Sequence, residues 1–290
     1  MNHYSSLRHK RCYNCLVILS VYFFKQHCKA NCFLSFSNVV MKIKLLFITL
    51  VLVLLLSQCS KKDVVATIAP AEANNKGVGI SAKDILSAQT FATLQIEIVF
   101  MPGHAPDVTA LNNLSSFLNM LINKPGGVQI TQRVIPASGK TTLTLDEIKA
   151  IEKANRTTFN NGSNLTLFIM YVDADYSTAN IVGTVYKNTS MVIFKKTIKN
   201  NSGGINQASQ TKLETTVLEH EFGHLVGLVN LGSPMQTNHV DAANDKHCDN
   251  RACLMYFSTQ SGMMGGILTS GPVPVLDDNC RNDLRANGGK

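Results

Sequence analysis

Apolar residues recur with two different periods along this chain, and the periods alternate. Between residues 91 and 100, Leu94, Ile96, Ile98 and Phe100 are spaced by two, with Gln95 and Glu97 among the residues between them. That spacing predicts a half-buried strand, ended by Met101-Pro102-Gly103. Leu111, Leu114, Phe117, Leu118 and Leu121 follow at helical spacing. This helix starts near Pro106-Asp107 and stops before Lys124-Pro125-Gly126-Gly127. Residues 128–135 read as a second strand. Thr144-Leu145-Asp146-Glu147 is a capping-box pattern that opens a helix running to about Arg156. Residues 165–172 form an apolar run of strand length, which fits a central strand covered on both faces. Residues 181–198 read as two β segments with a turn at 187–190. Residues 205–228 carry a long helix with Leu213, Val217, Leu218 and Leu225 as its apolar positions. The order predicts an α/β (α+β) fold, a mixed twisted sheet with packed helices. From Gly232 onward the chain is rich in Gly, Asn, Asp and Ser and loses its periodicity. A segment of that kind needs a metal or a disulfide to order it.

The formal charge of +8 points at first to nucleic acid or membrane. Residues 1–58, however, hold seven basic groups and no acidic one, and the remainder is nearly neutral. The basicity belongs to a leader, and no nucleic-acid partner is expected. Within it, Met41-Lys42-Ile43-Lys44 is a short positive start. Residues 45–56 are apolar except for Thr49, too short a run to span a bilayer comfortably. Leu56-Ser57-Gln58-Cys59 resembles the lipobox of bacterial lipoproteins, with Gln58 in place of the usual small residue. The resemblance implies lipidation at Cys59. Residues 1–40 are read as an upstream extension, with translation starting at Met41. Their Cys12, Cys15, Cys28 and Cys32 are interrupted by an apolar stretch and make a poor metal site.

The chemistry lies in His220-Glu221-Phe222-Gly223-His224. Histidines four apart on a helix share one face, one turn apart, at a separation suited to a single zinc ion. Glu221 can stand beside the metal and take a proton from water. The chain has 8 histidines. Chance placement would give roughly 0.005 copies of His-Glu-x-x-His, so the pattern reads as a site.

Gly227 lies three residues after His224, where a glycine can end the helix at φ > 0. The run from His220 to Gly227 resembles the signature of the metzincin clan of metalloproteases. Most members place a third histidine three residues after that glycine, a position held here by Asn230. Further on, His247-Cys248-Asp249-Asn250-Arg251-Ala252-Cys253-Leu254-Met255 resembles the archaemetzincin form, with an insertion between Gly227 and His247. The resemblance implies His247 as third ligand and Met255 as the apolar turn beneath the metal. His239 competes for the third position, since Asp241 could orient its second nitrogen. Archaemetzincins use these cysteines and a later Cys-x-x-Cys for a second zinc. Only Cys280 follows here, so the expectation is one catalytic Zn2+ and a disulfide between Cys248 and Cys253.

The resemblance thus implies a single metzincin-like catalytic domain over residues 81–290, after a signal peptide at 41–58 and a flexible tether at 59–80. It implies zinc-dependent hydrolysis of a peptide or protein substrate, with Glu221 as general base. The segment 183–194 is the expected sheet edge for that substrate. The chain is expected to be a monomer held to the membrane by its N-terminal lipid, in the cell envelope, periplasmic or at the cell surface. The alternative is a non-catalytic lipid-anchored binding module with a structural zinc site.

Overall fold

The computed structural model describes residues 70–259 and 271–290. Two short helices, α1 (Pro70–Ala73) and α2 (Ala82–Leu86), precede β1 (Thr93–Phe100). After α3 (Val108–Leu121) come β2 (Val128–Val134), β3 (Thr142–Leu143) and α4 (Leu145–Asn155). Then follow β4 (Asn164–Val172), β5 (Asp175–Tyr176), β6 (Gly183–Lys187) and β7 (Ser190–Phe194). The helices α5 (Lys195–Asn200), α6 (Gln210–Leu225) and α7 (Asp278–Ala286) complete the chain.

The main sheet has the order β2-β1-β4-β7-β6. Four strands are parallel and β6 alone runs antiparallel, against β7. This is the mixed α/β sheet that the alternating periods predict. As expected, β4 is central and buried on both faces. Leu165, Leu167, Ile169 and Tyr171 face α3 and α6 in one apolar cluster, while Phe168, Met170 and Val172 join Ile148 of α4 in another. The capping box at Thr144 is complete, with both reciprocal bonds to Glu147. Asp107 caps α3 by accepting from Ala110 N at 2.9 Å.

Four local expectations change. Residues 195–200 are helical rather than extended, because Lys195 turns inward to pair with the buried Glu214 of α6. That helix begins at Gln210 rather than near 205, where Ile205 is exposed and Asn206 has a φ of 61°. Residues 70–80, expected as part of a tether, are packed. Asn74 is buried and its amide reaches Asn160 Oδ1, the Thr166 carbonyl and Thr189 Oγ1. Gly79 has a φ of 77° and lies so close to the Leu231 carbonyl that any Cβ would overlap it. The edge expected at 183–194 divides: β6 is the edge and β7 is interior. The leader, Cys59 and the rest of the tether lie outside the described residues. No helix among the described residues is long and apolar enough to cross a membrane.

Lys124 fastens the entry to this sheet. Its ammonium donates to the carbonyls of Asp84, Ser87 and Phe91 at 2.5–2.6 Å. On β1, Glu97 is buried and accepts from the amides and hydroxyls of Thr157 and Thr158, and from Arg133 at 2.7 Å. Burial pushes its pKa up, but these donors outweigh burial and hold it below the usual 4.5. A lowered carboxyl pKa contributes stability that is present above about pH 4.5 and fades in acid. Glu97→Gln should therefore cost about 1–3 kcal/mol at neutral pH. Urea unfolding should show that gap closing as the pH falls below about 4; a gap independent of pH would contradict it.

Candidate metal centre

The site is built on α6, a helix whose residues from Leu213 to Leu225 are all buried. Such a helix must find partners for its polar side chains. Ser209 caps it by accepting from Lys212 N at 3.2 Å. Glu214 accepts from Asp107 N at 2.8 Å and pairs with Lys195, clamping α6 to α3 and α5. The next two turns carry His220, Glu221 and His224.

His220 Nδ1 lies 2.7 Å from the Leu254 carbonyl. A carbonyl only accepts, so Nδ1 carries the proton and Nε2 is left with its lone pair. His220 Nε2 lies 3.1 Å from His224 Nε2. Two imidazole nitrogens at about 2.0–2.1 Å from one tetrahedral zinc would stand roughly 3.3–3.4 Å apart. The observed spacing is close to that. The His247 ring stacks on His220 at 20° and stands edge-on to His224 at 87°. One ligand atom from each of the three histidines falls within 4.8 Å of the others. Burial lowers the His220 pKa to about 3 and that of His224 well below the ordinary value, with neighbouring imidazoles adding to the effect. Both causes favour neutral rings, the form that coordinates metal, and for His220 they outweigh the bond to Leu254.

Glu221 is the least satisfied group. Both carboxylate oxygens are buried without a hydrogen-bond partner. Burial raises its pKa to about 8, opposed only by the backbone of Val185 on β6. A bare buried carboxylate is costly unless a cation stands nearby. His224 Nδ1 is likewise buried without a partner. Converging lone pairs beside an uncompensated carboxylate fit a divalent metal.

The surroundings are close-packed. A Cβ on Gly183 of β6 would meet Val217 Cγ1 at 2.8 Å and Glu221 Cγ at 3.0 Å, so the edge strand rests directly on the helix. Met255 is fully buried beneath α6, and a Cβ on Gly223 would overlap its sulfur. Gly227 has a φ of 75°, and a side chain there would strike Ser233 N at 2.5 Å. The turn carries the chain away, and Asn230 is exposed.

His239 belongs to a different cluster. Its Nε2 lies 2.9 Å from Asp283 Oδ2, which leaves Nδ1 facing sulfur: 3.4 Å from Cys248 and 4.0 Å from Cys280. Asp283, rather than Asp241, orients the ring; Asp241 instead accepts from Ala243 N and the Asn244 side chain. Cys253 Sγ is 3.7 Å from Cys280 Sγ. The expected disulfide is not formed: Cys248, Cys253 and Cys280 are all free and buried. Neighbouring thiols, first Cys248 and then Cys280, together with the amides of Asp277 and Met255, hold the Cys253 thiol down to about 4. Ligand atoms of His239, Cys248, Asp277 and Cys280 also lie within 4.8 Å of one another. The described residues therefore present two groups of side chains arranged as metal ligands.

No family model and no curated protein matches the sequence. Among solved structures, the chain is similar to archaemetzincin from Methanopyrus kandleri, with a TM-score of 0.46 and 13% identity, over 68% of this chain and 96% of that one. It is similar also to metalloproteinase-II from Bacteroides fragilis, with a TM-score of 0.38 and 13% identity, over 71% of this chain and 61% of that one. Likeness at this level leaves the chemistry to rest on the chain's own residues.

Several functional groups escaped the sequence reading. The Leu254 carbonyl is backbone and leaves no signature. Cys280 and Asp283 are three apart on α7, so they share one helix face; that spacing was a usable sign of a second cluster. Packing at Gly223 leads to a prediction. Gly223→Ala should push Met255 aside, destabilise the fold by about 1–3 kcal/mol and weaken metal retention. Thermal unfolding with and without added zinc tests it, and an unchanged midpoint in both states would refute it.

Proposed function

We propose that the protein hydrolyses peptide bonds, with His220, His224 and His247 holding one zinc ion and Glu221 as general base. The observation that carries this reading is the convergence of three imidazoles beside a buried carboxylate that no side chain among the described residues satisfies. A zinc ion there would supply Lewis acidity, enough to bring the pKa of water from about 16 towards 7. Glu221 takes a proton from the attacking water and passes it to the leaving amine nitrogen. Its burial keeps the carboxyl near the pKa that suits such shuttling at neutral pH. The free edge of β6 can pair with an extended peptide, and its contact with α6 at Gly183 brings that peptide to Glu221.

The second cluster, His239, Cys248, Asp277 and Cys280, fits a structural metal. Thiolate and imidazole donors suit zinc, and Asp283 orients the histidine as a carboxylate does behind a metal ligand. The same proposal places the chain in the cell envelope, tethered through a lipid on Cys59, on the strength of Leu56-Ser57-Gln58-Cys59. Cys59→Ala should then move the protein from the membrane fraction to the soluble one, and an unchanged distribution would remove the anchor.

The catalytic reading is tested by pairing metal analysis with peptide hydrolysis. Glu221→Gln should keep its zinc and lose about 10²–10⁴-fold in rate. His247→Ala should lose one zinc per chain, and His239→Ala should lose the other. Zinc retained in wild type with no peptide cleaved would favour the lipid-anchored binding module instead.

A further inference from the structure

A cavity of about 230 Å³ opens directly on Glu221, His224 and His247. It is smaller than the roughly 300–1,000 Å³ of a site for a drug-sized molecule, and compares with one side chain. Val78, Val185 and Leu231 give it apolar walls. Its remaining charged wall residue is Lys246. That lysine has a φ of 68°, a left-handed backbone that L-residues adopt only under constraint. The backbone at this position is thus fixed by its loop, and Lys246 lines the cavity. The neighbouring acid does not neutralise it: Asp245 Oδ1 accepts from the Lys246 backbone amide at 2.9 Å. Lys246 is exposed and makes no side-chain ion pair among the described residues. The other lysine on this edge, Lys187, is already bound to Glu152 at 2.7 Å.

An apolar recess with one uncommitted cation at its wall selects for a particular partner. A neutral side chain would gain the walls and nothing from the lysine. A carboxylate placed there would otherwise face Glu221 alone. We propose that Lys246 is a specificity-determining residue that binds a substrate carboxylate close to the cleaved bond. Two sources share that chemistry: an internal Asp or Glu side chain, and the free C-terminus of a short peptide. The inference rests on the proposed hydrolytic site, since it takes the cavity as the pocket flanking the scissile bond.

The test uses full-length, zinc-replete protein and a mixed library of N-acetylated peptides, each made with a free and an amidated C-terminus. Cleavage sites are read by mass spectrometry, and kcat/KM is measured on matched peptides bearing Glu or its isostere Gln. Wild type should prefer the carboxylate about 10-fold, mainly through KM, and added salt should shrink the preference, as for any exposed ion pair. Lys246→Met should bring the ratio to about one, Lys246→Arg should restore it, and Lys246→Glu should shift preference to Lys-containing peptides. Preference for internal Glu in amidated peptides identifies the side-chain source. Preference only for free C-termini identifies the terminal one. A ratio near one in wild type, or one that survives in Lys246→Met, overturns the proposal. Should wild type cleave nothing, calorimetry of the same peptides on Glu221→Gln separates the two ideas. Glu-over-Gln binding that depends on Lys246 upholds the pocket and sinks the hydrolytic reading, whereas equal binding sinks both.

Discussion

The hydrogen bond from His220 Nδ1 to the Leu254 carbonyl joins the two halves of the site. It fixes which nitrogen of His220 bears the proton and so which one faces His224 and His247. It also fastens a regular helix to a segment that has almost no regular structure. That segment is ordered by polar contacts instead. Cys248 N donates to the Met255 carbonyl at 2.8 Å, Asp249 N to His239 at 3.0 Å, and Leu254 N to Val275 at 2.9 Å. The first of these closes the loop that carries His247 at one end and Met255 at the other. The two candidate clusters are consequently not independent, because His247 and Cys248 are adjacent residues that belong to different ones.

Burial makes this arrangement expensive. The helix α6 carries Glu214, Glu219, His220, Glu221 and His224 into the interior. Glu214 is repaid by Lys195 and the Asp107 amide. His220 has Leu254. Glu221 and His224 Nδ1 are left uncompensated, and they stand side by side at the proposed metal. Protein interiors normally pair their polar groups, and exceptions concentrate where chemistry is done. The contrast along one helix is therefore informative. Glu214 and His220, which fasten the helix to its neighbours, are satisfied, and Glu221 and His224 Nδ1 at the cavity are not.

Much of the sheet was legible because its signals are local. The two-residue alternation in β1, the apolar run of β4 and the reciprocal cap at Thr144 each depend on neighbours in sequence. So did the pairing of His220 with His224, since a helix sets that spacing by itself. Residues 195–200 misled because Lys195 gains its partner from a helix well downstream, and that pairing overrides local extended preference. Asn74 misled in the same way: a polar, glycine-containing stretch looks like a tether until Asn160, Thr166 and Thr189 receive it.

What the amino-acid order determined by itself was the α/β alternation, the paired histidines on one turn of α6 and the glycine that ends it. Each follows from bonding periods of a few residues. What only the tertiary structure decided was the sorting of distant candidate ligands: His247 beside the helix pair, and His239 with Cys248, Asp277 and Cys280. Spacing could not settle that, because both histidines sit in aperiodic chain. The Asp283 carboxylate aims His239, and backbone bonds from Asp241 N to the His247 carbonyl and from Cys248 N to the Met255 carbonyl place His247; folding brings these groups together.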